Sequence, residues 1–207
     1  NYIWTFLPLL WALLFSCGLA CLWRRRAFDQ QEALIVFSIV VLGLALRLVL
    51  PPWGPGDISN TVASAQLGAE HIRDFGHYGR APGGLLLLVG PVLGAGEDAL
   101  VLLNLLAGCA SVALLYSFVR QLGYGLLVAR LAALFLAVAP LHVRFSPTYN
   151  RYIILIFLML AGWTLLLAFI RQGRRVDLFA AILALSLAPQ CRPEAGGLAR
   201  THSGSRG

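Results

Sequence analysis

Long apolar runs separated by short polar breaks organise the chain. Residues 3–23, 33–50, 99–119, 124–143 and 152–170 are each about 20 residues long with few charges, the length a helix needs to cross the hydrocarbon core of a bilayer. Residues 176–189 continue the pattern for only 14 residues, a sixth span cut short. Residues 83–96 are apolar over the same length but hold Pro91 and five glycines, which fits an interfacial or re-entrant segment. The pattern predicts an all-α fold, a polytopic transmembrane helical bundle with about six spans. The long first outer loop, residues 51–98, would carry juxtamembrane helices. Residues 1–189 then form one transmembrane domain, and residues 190–207 an irregular polar tail.

The ends of the chain have a character of their own. The run 3–23 is followed by Arg24, Arg25 and Arg26. A signal peptide carries its positive charge ahead of a shorter apolar stretch, so this run reads as a spanning helix. The first residue is Asn1, and after Pro189 the composition turns abruptly to Gln, Arg, Gly, Ser and Thr. These features predict a truncated or frame-shifted piece of a longer protein.

Composition agrees with the pattern. Of the 207 residues, 59% are hydrophobic and 12% charged, and mean hydropathy is +0.79. Soluble domains carry about 25% charged residues, and disorder needs low hydrophobicity, so both classes are excluded. The net charge of +7 would suggest nucleic acid in a soluble protein. Here all sixteen basic residues are arginine, and most stand at the ends of apolar runs. That arrangement fits membrane orientation, not phosphate-backbone binding. Cys17, Cys21, Cys109 and Cys191 show no zinc-ligand spacing and read as small packing residues.

Arginine placement sets the orientation. Arg24 to Arg26, then Arg120, then Arg171, Arg174 and Arg175 fall in alternate loops and belong on one side, the cytoplasm. The opposite face receives residues 51–98, 144–151 and the tail. Five of the nine acids lie in the first of these, at Asp57, Glu70, Asp74, Glu97 and Asp98. The expectation is a multi-pass protein of an inner or plasma membrane with its active face extracytoplasmic.

Loops of this length are usually functional or disordered, and this one is not disordered in composition. Pro51 to Gly56 makes a stiff turn, and Ile58, Val62, Ala65, Ala69 and Ile72 share one helix face, as in a helix lying on the membrane surface. Asp57 opens that helix. It reads either as an N-cap or as a catalytic carboxylate, placed to take a proton from an acceptor hydroxyl as general base. Arg47, three residues inside the second span, reads as a snorkelling side chain or a phosphate ligand. Tyr78 and Arg80 belong to a solvated loop or to a binding cluster. His142, Arg144 and Arg151, with Asn150, oppose the positive-inside trend, and functional charge is one account of that. Arg130 reads as snorkelling.

The order of these features resembles the integral-membrane glycosyltransferases that use polyprenyl-phosphate-linked sugars, glycosyltransferase family 39 of the C-type fold, which includes the protein O-mannosyltransferases and lipid A aminoarabinose transferases. The resemblance rests on Ala45-Leu46-Arg47-Leu48, Gly56-Asp57, Arg80-Ala81-Pro82-Gly83, Leu115-Tyr116 with Arg120, Ala139-Pro140-Leu141-His142-Val143-Arg144-Phe145-Ser146 and Arg192-Pro193-Glu194. It covers residues 33–194. It implies that Asp57 is the catalytic Asp of the first outer loop, and that Arg192, in the Arg-Pro-Glu run ending at Glu194, helps bind the lipid-linked donor. Many relatives carry a second acid directly after the catalytic Asp, where this chain has Ile58.

The expected activity is therefore transfer of a hexosyl or pentosyl group from a polyprenyl phosphate to a lipid, glycan or protein. Its partners are that lipid-linked sugar and the bilayer, with no nucleic acid. No cofactor is expected. A divalent metal fits the chemistry, but no ligand cluster marks one. A transporter or flippase would put ionisable residues at mid-membrane, whereas here they gather at one face. A non-catalytic envelope scaffold or an inactive fragment would also fit the sequence.

Overall fold

The computed structural model describes residues 30–51, 97–148 and 151–191. The first expected span, the segment 83–96 and the outer-loop helix lie outside the described residues. Within them the chain forms α1 (Gln30–Val49), α2 (Glu97–Gln121), α3 (Leu126–Val138), α4 (Pro140–Phe145), α5 (Arg151–Gln172) and α6 (Arg175–Cys191), with no strand among the described residues.

Each boundary has a local cause. α1 carries Glu32 in its first turn and Arg47 in its last, the signs that complement a helix dipole. It stops before Pro51-Pro52, because a residue preceding proline is driven out of the helical region. α2 ends in a turn where Gly123 has φ +95 and its N–H reaches the Arg120 carbonyl at 3.1 Å. Gly173, φ +68, closes α5 in the same way, its N–H on the Phe169 carbonyl at 2.7 Å. Only glycine adopts such angles without strain.

Among the described residues, three helices are long and apolar enough to cross a membrane, over Gln31–Val49, Ala99–Gln121 and Arg151–Gln172. These correspond to the expected spans 33–50, 99–119 and 152–170. The expected span 124–143 is not one continuous helix. Ala139 takes φ −58 and ψ 120 ahead of Pro140, so the helix breaks there and restarts as the six-residue α4. The expected 176–189 run forms α6, which reaches 17 residues.

α2 is the central helix. Over half of its spanning window is buried, 56%, against 17% for α1, whose Leu34, Phe37, Val41 and Leu48 are exposed. On one side of α2, Val112 and Tyr116 pack with Ala129, Ala133 and Ala137 of α3 and with Val36, Ile39 and Val40 of α1. On the other, Ala99 and Leu100 pack with Ile154 and Leu158 of α5 and Ala188 and Cys191 of α6. Both α5 and α6 bury small residues, Ala161, Gly162 and Ala168 on the first and Ala181, Ala184 and Ala188 on the second. A Cβ on Gly162 would lie 2.6 Å from Leu185 Cγ. Close backbone approach of this kind replaces the hydrophobic drive that lipid cannot supply.

These contacts fix the helix directions. The ends of α1 and α3, the starts of α2 and α5, and the end of α6 share one end of the bundle. Arg120, Arg130, Arg171, Arg174 and Arg175 fall at the other. Of the basic loops read from the sequence, those of Arg120 and of Arg171, Arg174 and Arg175 thus share one end, and Arg24 to Arg26 lie outside the described residues.

Candidate functional site

The break at Ala139-Pro140 builds a buried polar cluster at the end of the bundle where α1 finishes. Arg47 is the largest side chain in it and is only 1% exposed. Its Nε donates to Ser146 Oγ at 3.1 Å. Its Nη1 donates to the Gly43 carbonyl at 2.6 Å and, at longer range, to that of Ala137 at 3.5 Å. Its Nη2 meets His142 Nδ1 at 2.5 Å. Ala137 lies in the last turn of α3, whose carbonyls have no helical partner. The cation therefore sits at the negative ends of two helix dipoles.

Ser146 relays between Arg47 and α4. Its Oγ accepts from Arg47 and donates to the His142 carbonyl at 2.6 Å. Two glycines make room for the guanidinium. A Cβ on Gly43 would stand 2.8 Å from Arg47 Nη1, and one on Gly108 would overlap Ser146 Oγ and stand 3.2 Å from Arg47 Nε. One turn from Gly108, Asn104 is fully buried and donates through Nδ2 to the Thr148 carbonyl at 2.6 Å. Two buried atoms here have no hydrogen-bond partner among the described residues, His142 Nε2 and Asn104 Oδ1.

The structure thus brings together two of the sequence-expected site residues, Arg47 and His142. Arg144 lies beside them on α4, its Nε on the Pro51 carbonyl at 3.3 Å. Arg151 opens α5 at the same end of the bundle. Asp57, Tyr78, Arg80, Arg192 and Glu194 lie outside the described residues. Sequence reasoning missed Gly43, Gly108 and Asn104. For Asn104 a signal existed, a lone amide in an apolar run, and polar groups inside a span usually mark function or a specific contact. Among the described residues no group of three His, Cys, Asp or Glu could hold a metal ion.

The opposite end holds a different cluster. Glu32 accepts from Tyr116 Oη at 2.5 Å and from Arg130 Nε at 3.2 Å, and a second Arg130 nitrogen pairs with its other oxygen. Arg130 is thus an ion-pair partner, not the snorkelling side chain expected. Arg120 caps the neighbouring turn on the Tyr124 carbonyl at 2.8 Å.

Comparison with known proteins locates this architecture. The family model described as "Dolichyl-phosphate-mannose-protein mannosyltransferase" matches residues 85–200, more than half of the chain. That stretch contains Asn104, Gly108, His142 and Ser146, while Arg47 lies before it. A Bacillus subtilis strain 168 protein printed as "Putative mannosyltransferase YycA" is 37% identical over 97 residues, 47% of this chain but 14% of the relative's length. No solved structure matches. The break at Ala139-Pro140 and the polar segment from His142 to Ser146 fall inside the matched stretch, and on that match the chain belongs to the dolichyl-phosphate-mannose-protein mannosyltransferase family, the glycosyltransferase family 39 type.

Proposed function

We propose that the chain transfers a sugar from a polyprenyl-phosphate donor to an acceptor hydroxyl of a lipid, glycan or protein, at the outer face of an inner or plasma membrane. The observation that carries this reading is the family match across residues 85–200. Asp57 acts as general base, taking the proton of the acceptor hydroxyl. The oxygen attacks the anomeric carbon, the bond from that carbon to the phosphate oxygen breaks, and polyprenyl phosphate leaves with inversion. Negative charge grows on the departing phosphate and is stabilised by fixed positive charge nearby. Arg144, Arg151, Arg80 and Arg192 supply it, with Arg47 adding potential from the interior. Tyr78, His142 and Glu194 complete the binding surface.

The segregation of arginines supports the orientation. Among the described residues, five lie at the Glu32 end, which is cytoplasmic by the positive-inside rule. The Arg47 cluster then faces outward, the side to which the sequence assigns the first outer loop.

The test is transfer of radiolabelled sugar from a polyprenyl phosphate by membranes containing the chain. Wild type is expected to transfer, and Asp57→Asn to lose the activity by about 100-fold or more, the scale of a general base. A wild-type rate in Asp57→Asn would remove Asp57 from the chemistry. Absence of transfer by wild type, with the chain folded in the membrane, would remove the reading for this chain.

A further inference from the structure

Arginine has only N–H donors. The His142 Nδ1 that Arg47 Nη2 meets at 2.5 Å must therefore be the acceptor, and the ring proton sits on Nε2. The tautomer of an imidazole is set in this way by the bond its other nitrogen makes. His142 is 5% exposed, and Nε2 has no hydrogen-bond partner among the described residues. A buried N–H without a partner is rare in folded proteins and calls for an explanation.

Arg47 also fixes the frame that carries the ring. Through Ser146 Oγ it reaches the His142 carbonyl, and its Nη1 turns to carbonyls in α1 and α3. Four of its five N–H groups are thereby committed to protein acceptors. A guanidinium so engaged has no free fork with which to grip a phosphate in bidentate fashion.

We propose that Arg47 is a positioning residue: it locks His142 in the Nε2–H form and aims that N–H at an oxygen of the lipid-linked sugar phosphate. This rests on the transferase reading above and deepens it by naming the contacting atom. The bond forms with no proton transferred, and His142 stays neutral.

The test has a part that needs no substrate. Histidine-15N spectra of the whole chain in nanodiscs report the state of each ring nitrogen, and the His142 signal among four histidines is identified by its loss in His142→Gln. Wild type is expected to show an unprotonated Nδ1 and a protonated Nε2. Arg47→Met should release the ring to a mixture of tautomers, and Arg47→Lys should restore the single form. A protonated Nδ1 in wild type, or an unchanged spectrum in Arg47→Met, overturns the proposal whether or not any sugar moves.

Two ligands then separate the sources of the oxygen. A shift of the Nε2 signal on adding polyprenyl phosphate alone assigns a phosphate oxygen. A shift seen only with polyprenyl-phosphate mannose assigns a sugar oxygen. A shift with neither overturns the proposed contact. In the transfer assay His142→Gln, whose amide reaches the Nε2 position, should keep most of the rate. His142→Asn, whose amide reaches only the Nδ1 position, should lose about 100-fold, the scale for one lost transition-state donor. Equal rates in the two variants overturn it as well.

Discussion

The two ends of the bundle handle buried charge in opposite ways. At the Glu32 end a carboxylate meets a guanidinium and a phenol, and each partner satisfies the others. At the Arg47 end a guanidinium is buried more deeply, with carbonyls, a hydroxyl and a neutral imidazole as its partners. The first arrangement cancels charge and closes on itself. The second leaves a cation with no acidic partner among the described residues; unpartnered buried atoms occur at both ends, His142 Nε2 and Asn104 Oδ1 at this one and Gln121 Oε1 and Arg174 Nη1 at the other. Removing charge from water is costly unless it is paired, so an end that keeps an uncancelled cation has a reason beyond packing. The difference sets a clip of paired charge against the cluster proposed above as part of the donor site.

The contrast can be broken most severely at Gly108. Gly108→Val puts a branched side chain into Ser146 and against Arg47, and overpacking of this kind costs about 3 kcal/mol. Thermal unfolding in detergent should show the largest loss of stability in the set, and the His142 ring should lose its fixed tautomer with it.

Removing charge tests the two ends directly. Glu32→Ala strands the Tyr116 hydroxyl and the Arg130 guanidinium and should lower the unfolding temperature clearly. In a double-mutant cycle with Arg130→Ala the pair should be less destabilised than the sum of the singles, because the second change removes the stranded charge. At the other end Arg47→Met deletes an uncancelled cation and keeps its apolar stem. The loss from breaking a buried ion pair comes from the charge left behind, and Arg47 has only neutral partners among the described residues, so no charge is stranded. Thermal unfolding should therefore change by less than in Glu32→Ala, while sugar transfer falls further. A larger stability loss in Arg47→Met would make both ends structural.

Smaller effects calibrate the rest. Gly162→Ala forces Leu185 aside at the α5–α6 contact, for about 1–2 kcal/mol by the same overpacking rule. Ser186 is exposed, and its hydroxyl bonds only carbonyls of its own helix, at 2.6 and 3.1 Å. Ser186→Ala should stay within about 0.5 kcal/mol and leave transfer unchanged.

Hydropathy alone placed α1, α2 and α5 within a few residues, because a spanning helix is dictated by the apolar length of its own segment. The same method ran past Ala139, where the apolar pattern continues but the backbone does not. The signal was Pro140, whose effect on the residue before it is local and steric. Arg47 and His142 were each legible as polar exceptions. Their contact was not, since 95 residues separate them.

The bounds of α1, α2 and α5, the described basic loops and the polar exceptions were therefore legible in the amino-acid sequence, because each depends on a residue and its near neighbours in lipid. Which carbonyls meet Arg47, which imidazole nitrogen keeps its proton, and why Gly43 and Gly108 carry no side chain were decided by the packing of α1, α2, α3 and α4. Those outcomes depend on distances of a few ångströms between segments far apart in the chain, and no periodicity within one segment encodes them.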